Sequence, residues 1–196
     1  MTDESGRRAA QRCRIIDAAL AVVQRRGLAE LAMSDVIAES GLSAGAIYGY
    51  FSGKDEIVVA VAREIIGGRS GEIEALASAD PVPPLPELVR VILRGIPDGA
   101  LEGGAVVQMW GAAGSRPEMR GIAVDVLGGL QDGIESYLRR LYAQEGREDP
   151  ESDARAAAPL VVALAQGYIV RSALIARADV DAFARGVEAL LGPRPA

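Results

Sequence analysis

The feature that most constrains this chain is a glycine, Gly41, set between two short apolar stripes of helical period. Upstream, Met33, Val36 and Ile37 recur at i, i+3 and i+4; downstream, residues 44–51 carry Ile47 and Phe51. Two helices this close must be joined by a sharp turn, and a left-handed residue costs least there when it is Gly. Ser43 is the natural N-cap of the second segment. Ahead of both, Ile15, Ile16, Ala19, Leu20 and Val23 predict an amphipathic helix over 12–26, closed by Gly27 as a left-handed cap.

Three helices in roughly 40 residues, the last two split by Gly41-Leu42-Ser43, is the layout of a helix-turn-helix unit. Met33, Val36, Leu42, Ile47 and Phe51 are its expected small core. The rest also reads as helix. Lys54-Asp55-Glu56 opens a segment with Ile57, Val58, Val61, Ala62, Ile65 and Ile66, which Gly67-Gly68 kinks or ends. Four prolines within 80–86 break the chain. Helices then follow over 85–96, over 105–113 after a Gly-rich turn, from Pro117 along the stripe Met119 to Leu141, over 153–176 and over 180–191. The expectation is an all-α fold of about nine helices: a three-helix helix-turn-helix domain at 1–54, then a helical domain for ligand binding and dimerisation at 55–196.

Composition removes several functions. The chain has no histidine, which takes away the commonest general base, the Ser-His triads and most zinc sites. Cys13 is the only cysteine, so a thiolate-rich metal site and an intrachain disulfide are excluded. No Walker-type loop occurs, and no catalytic residue, metal ligand or cofactor is assigned. No run approaches the roughly 20 apolar residues of a membrane span, and residues 1–11 are too polar for a secretory signal. A cytoplasmic protein without membrane contact is expected.

The net charge of −6 is unevenly distributed. Residues 1–54 hold seven Lys/Arg against six Asp/Glu, while the other 142 hold fourteen against twenty-one. Arg7, Arg8, Arg12 and Arg14 fall within eight positions, and Lys54 is the only lysine. Steering to a polyanion depends on the local field, so an acidic body with a basic end is compatible with nucleic-acid binding.

Met33 to Lys54, with Gly41-Leu42-Ser43, Ile47-Tyr48, Tyr50-Phe51 and Lys54 in register, resembles the DNA-binding signature of the TetR family of bacterial transcription factors. The likeness covers residues 14–56, and the helix count is similar too. It implies a homodimeric regulator of double-stranded DNA: a repressor on a palindromic operator, released by a small, partly apolar effector. Ser43 is expected to cap the recognition helix and offer its hydroxyl or amide to a phosphate. The resemblance makes Tyr48 and Tyr50 candidate phosphate contacts through their phenols, Tyr48 foremost, with packing of one of them on the domain as the alternative; Lys54 is a further candidate through its point charge.

Two positions depart from the family pattern. Ala32 stands where Ser or Thr commonly caps the second helix, leaving Ser34 as the nearest substitute. The recognition helix offers Ala44, Gly45, Ala46 and Gly49, with no Arg, Asn or Gln for bidentate base contacts. Specificity then rests on backbone approach, Ala against thymine methyls, DNA shape, and an N-terminal arm bearing Arg7, Arg8 and Arg12 in a minor groove.

In the larger domain, Gln108, Met109 and Trp110 lie on one helix, and Gln166 and Tyr168 interrupt an apolar one. Buried polar groups need partners, which makes Gln108, Trp110, Gln166 and Tyr168 candidate ligand contacts. The helix from Leu160 to Ala176 is apolar on two faces: Leu160, Leu164 and Tyr168 on one, Val161, Ala165, Ile169 and Ala173 on the other. One face suffices for the core. The second set is assigned to a symmetric four-helix dimer interface. Two rival readings stand beside the ligand-responsive repressor: a ligand-independent DNA-binding activator or architectural protein, and an all-helical enzyme or lipid carrier.

Overall fold

The computed structural model describes residues 2–27, 30–67, 69–94, 104–115, 117–175 and 178–192. The expected Gly-rich turn and the side chains of Ala62, Ile65, Ile66 and Met109 lie outside that description. Among the described residues there are ten helices and no strand: α1 (Thr2–Arg26), α2 (Met33–Ser40), α3 (Ala44–Tyr48), α4 (Lys54–Gly67), α5 (Ser70–Ser78), α6 (Leu85–Arg94), α7 (Ala105–Ser115), α8 (Pro117–Gln144), α9 (Pro150–Leu174) and α10 (Val180–Leu191). The all-α expectation holds. The count exceeds nine because the stretch after Lys54 is two helices, the first ending at Gly67 and the second beginning at Ser70.

The first helix begins ten residues earlier than periodicity predicts, so the basic segment is helix and not a separate arm. Two reasons are visible. Arg, Ala and Gln between 7 and 12 are good helix formers, and two arginines reach back onto the reader unit. The Arg8 and Arg12 guanidinium carbons each lie 5.4 Å from a ring centroid, of Tyr50 and Phe51 respectively.

The N-terminal core is built as the stripes require. Ile15, Ile16, Ala19, Val22 and Val23 of α1 meet Leu31, Val36, Ile47 and Phe51, all buried. Ile57, Val58 and Val61 of α4 close the cluster from the other side. Phe51 is fully buried, so its truncation to Ala is worth about 3–5 kcal/mol by the usual cavity arithmetic.

The longest helix, α8, is the axis of the larger domain: it packs on α4, α5, α7 and, most extensively, α9. Its inner stripe, Leu130, Ile134, Tyr137, Leu138 and Leu141, is buried. The Tyr137 hydroxyl donates to the Pro83 carbonyl at 2.6 Å. Gln144 accepts from Val82 N–H at 2.7 Å and donates to Val82 O at 3.1 Å, so its amide satisfies the backbone of a proline-rich stretch that has no ladder of its own.

Asp149 caps α9 by accepting from Ser152 N–H at 3.0 Å, and Pro150 takes the first turn, where its missing N–H is harmless. By length and composition α9 could cross a membrane, a point that counting unbroken apolar runs missed. Here it is a core helix, with Ala154, Ala158, Val161, Ala165, Tyr168 and Ile169 buried within the chain. Finally, α10 packs on α6, where Asp181 accepts from Arg90 Nε at 2.7 Å and from Arg94.

Candidate functional site

The reader unit turns where the sequence requires. Gly41 has φ +66°, and its N–H returns to the Ile37 carbonyl as a left-handed cap. Ser40, buried, secures the same turn: its Oγ donates to Ile37 O and accepts from Leu42 N–H, both at 3.3 Å. On the far side, Ser43 Oγ accepts from Ala46 N–H at 3.2 Å, the expected N-cap. Ala32 supplies no side-chain cap to α2. Arg25 pairs with Glu39, and Arg26 with Asp35 at 2.9 Å, tying α1 to α2 across the surface.

The face of α3 turned to solvent is small and smooth. Ser43, Ala44, Gly45 and Gly49 are exposed, Ala46 is half-buried, and Ile47 points into the core. Around the Gly45 α-carbon there is open space: an added β-carbon would touch nothing within 4 Å. Tyr48 projects from this face at 53% exposure. Tyr50 does not. It is half-buried against α1, with Arg8 over its ring and its hydroxyl proton donated to Gln11 Oε1 at 3.0 Å. A phenol whose proton is committed within the chain has none for a phosphate, which removes Tyr50 as a donor to that group.

Ser34 is exposed at the start of α2, and Lys54 is half-buried at the start of α4. The exit from α3 is fixed by Glu56, which accepts from Ser52 N–H at 2.6 Å and Ser52 Oγ at 2.9 Å. These bonds, the backbone one first, hold the Glu56 carboxyl below its ordinary pKa. Arg14, which the sequence shows only as one of the basic cluster, has its guanidinium beside the Gly41 turn, 3.2 Å from where a β-carbon would stand.

In the larger domain, Trp110 and Gln166, two of the four expected ligand contacts, line one cavity together with Val106, Leu127, Val162 and Ile169. The space between its walls, about 450 Å³, is open to solvent in part, so little of it is enclosed. Trp110 Nε1 is buried and has no hydrogen-bond partner among the described residues. Arg69, which sequence reasoning overlooked, also lines it and pairs through Nη1 with Glu72 at 2.8 Å. The available signal was a lone cation at the break after Gly67-Gly68.

Two expected ligand contacts lie elsewhere. Tyr168 is buried away from this cavity, donating to Ala178 O at 2.6 Å with its ring 5.0 Å from that of Phe183. Gln108, two positions before Trp110, is on the exterior side of α7 against Gly27. Helical geometry turns residues two apart away from each other.

The apolar faces of α9 also divide differently from the assignment made for a partner. Val161, Ala165 and Ile169 are buried in the chain's own core at 2%, 7% and 6% exposure, and Ala173 is half-buried. The cavity and α8 take that face. Leu160 at 51% and Leu174 at 72%, with Ala163 and Gly167 between them, form the exposed face instead.

Residues 15–61 match the sequence model described as "Bacterial regulatory proteins, tetR family". The HTH-type transcriptional regulator BetI 2 of Chromohalobacter salexigens is 31% identical over 170 residues, covering 84% of this chain and 78% of that one. Among solved structures, a TetR transcription regulator from Haloarcula marismortui superposes with a TM-score of 0.74 at 16% identity, covering 93% of this chain and 96% of that one. The multidrug binding protein EbrR, solved with imidazole, gives 0.60 at 28% identity, covering 95% and 97%. With the reader unit, the all-helical body and these relatives in agreement, the chain belongs to the TetR family of DNA-binding transcriptional regulators.

Proposed function

We propose that this regulator is a repressor that binds a palindromic operator as a homodimer and is released by a small, partly apolar effector. One observation carries the reading: the cavity holding Trp110 and Gln166 is lined by Arg69, just past the end of α4, and α4 begins at the exit of the reader unit. A ligand seated there bears on the helix that positions α3. In support, the chain is similar to a solved multidrug binding protein complexed with imidazole and to a repressor of a multidrug efflux pump, SmeT of Stenotrophomonas maltophilia.

DNA contact is assigned to Ser43, Ala44, Gly45, Tyr48 and Lys54, with Ser34 at the edge. The smooth α3 surface favours close backbone approach, and the exposed phenol and the lysine suit phosphate oxygens. A dimer is assigned to the exposed faces of α9 and α10. Leu160, Ala163 and Gly167 on one and Ala182, Gly186 and Leu190 on the other leave small residues and leucines in water, and a symmetric four-helix contact buries both. Catalysis and membrane insertion are not part of this reading, and the buried helix α9 and regulator relatives favour a cytoplasmic location.

The test is a gel shift with the DNA flanking the chain's own gene, then challenge of that complex with candidate compounds. Failure to retard any such DNA would return the enzyme or carrier reading. Retardation that no cavity ligand reverses would favour a ligand-independent regulator.

A further inference from the structure

We infer that Arg8, held on the ring of Tyr50, contacts an operator phosphate beside the recognition helix, and that Tyr50 serves DNA binding as its platform, through the ring and not the phenol. The inference rests on the reader-unit reading above and carries DNA contact beyond α3 and Lys54.

The helical state of the basic segment decides what its arginines can reach. An extended arm can follow a minor groove about 6 Å wide; a helix, about 10–12 Å across with its side chains, cannot enter one. Since α1 is helical from Thr2, Arg8 and Arg12 are presented from a rigid rod. Both are exposed, and each guanidinium carbon lies 5.4 Å from a ring centroid, that of Arg8 from Tyr50 and that of Arg12 from Phe51. The Tyr50 phenol adds a second tie to the rod by donating to Gln11 Oε1 at 3.0 Å.

Tyr50 and Phe51 follow Tyr48, the last residue of α3, so Arg8 is brought to the end of α3 that leads to Lys54. A recognition helix seated in a major groove about 12 Å wide has a phosphate strand along each side, and groups standing at its end face those strands. A guanidinium stacked by its face keeps its N–H edge for a second partner, and that planar fork matches a phosphate bidentately. The stack also holds the side chain in place beforehand, so less rotamer freedom is lost on binding. Arg12 acts electrostatically on Glu56 as well. The assignment is therefore made for Arg8.

The experiment measures the affinity of the intact protein for the DNA flanking its own gene, from about 50 to 200 mM salt. Arg8→Gln should lower the slope of log affinity against log salt by about one for each bound protomer, and weaken all sequences alike. Arg8→Lys keeps the charge but not the stacked fork; it should keep the slope and still lose about threefold at every salt. Tyr50→Leu removes the platform and should weaken binding about threefold, whereas Tyr50→Phe, which keeps the ring, should stay within about twofold. In the doubly substituted protein, Tyr50→Leu should cost nothing beyond Arg8→Gln, because the ring acts through the arginine. Melting curves check folding. Should Tyr50→Leu unfold, the Arg8 variants, changed at an exposed position, still decide. An unchanged slope for Arg8→Gln, a changed base preference, or full additivity in the double variant overturns the inference and leaves the reader-unit reading intact. Wild-type protein that retards neither this DNA nor any other overturns both.

Discussion

Gln108 lies against Gly27, the residue that closes α1 at φ +83°: a β-carbon on Gly27 would stand 2.9 Å from Gln108 Oε1. Two positions further along the same helix, Trp110 lines the cavity. Thus α7 touches the end of the reader unit with one side and the cavity with the other. It offers a second route between them, in parallel with α4, which packs on both α1 and α8. A rigid helix displaced by a ligand moves both sides together, and interface switches of this kind work through shifts of a few ångströms.

Replacing Gln108 with Ala should therefore separate binding from response. Ligand affinity read by Trp110 fluorescence should stay within about twofold, since Gln108 lies outside the cavity, while the loss of operator affinity caused by ligand shrinks several-fold. An unchanged response would leave α4 as the sole route.

The smooth face of α3 leads to a second expectation. Gly45 has no neighbour that a side chain would meet, and Gly is a poor helix former, so Gly45→Leu should raise stability by about 0.5 kcal/mol. If DNA approaches this backbone closely, operator affinity should at the same time fall about tenfold or more, since a wedge costs interface contact. Thermal melts and gel shifts on one preparation check both. Loss of stability together with affinity would point to misfolding and remove the argument.

The two tyrosines of the motif should behave differently. Tyr48→Phe should leave the melting temperature unchanged and weaken DNA binding by about 1 kcal/mol through the lost phenol bond. Tyr50→Phe breaks the bond to Gln11 and should lower stability by a similar amount, with little direct effect on DNA. Lys54→Ala should weaken all sequences alike and reduce the salt slope by about one. A change of base preference at one position would contradict a phosphate role.

These pairs also mark how far the sequence could be read. The turn at Gly41, the Ser43 cap and the buried set Val36, Ile47 and Phe51 follow from local rules, because spacing and capping act within a few residues. Burying polar groups among aliphatic ones marked Gln108, Trp110, Gln166 and Tyr168 alike, and could not say that Trp110 and Gln166 would share a cavity while the other two turned elsewhere. Which of Tyr48 and Tyr50 turns outward depends on Gln11, thirty-nine positions away from Tyr50. Periodicity also gave α9 two apolar faces but not their assignment, since the choice lies with α8, which packs on one of them. Arg69 was invisible for the same reason: a cation at a helix break gives no hint of the space it borders.

Acid should loosen the contact between α6 and α10. The hydrogen bond from Arg90 holds the Asp181 carboxyl below its ordinary pKa, with the charge of Arg94 adding to it. A carboxyl depressed in the folded state stabilises fully above its unfolded value, near 3.9, and loses that contribution as pH falls through the folded one. The melting-temperature gap between wild type and Asp181→Asn should then be constant from neutral pH down to about 5 and close below about 4. Because the pair is partly exposed, added salt should narrow the gap as well. A gap that widens in acid would mean Asp181 acts through something other than its charge.

Neighbouring residues on α9 give the sharpest test of the dimer. Leu160 is half-exposed on the outer face, whereas Val161 is buried beneath it at 2% exposure. A carboxylate at Leu160 meets water in a monomer and an apolar surface in a dimer, so Leu160→Glu should leave the chain folded and shift it to monomer. Operator affinity should fall with it, because half-sites are read in pairs. Val161→Glu places the charge in the chain's own core, where an unpaired buried charge destabilises by several kcal/mol, about 3 or more, whatever the oligomeric state. Light scattering and melting curves on both variants separate the two effects. A folded, still dimeric Leu160→Glu protein would move the interface away from this face. An undisturbed monomer in the wild type would remove the paired operator along with it, since the proposed repressor needs both recognition helices held at one spacing.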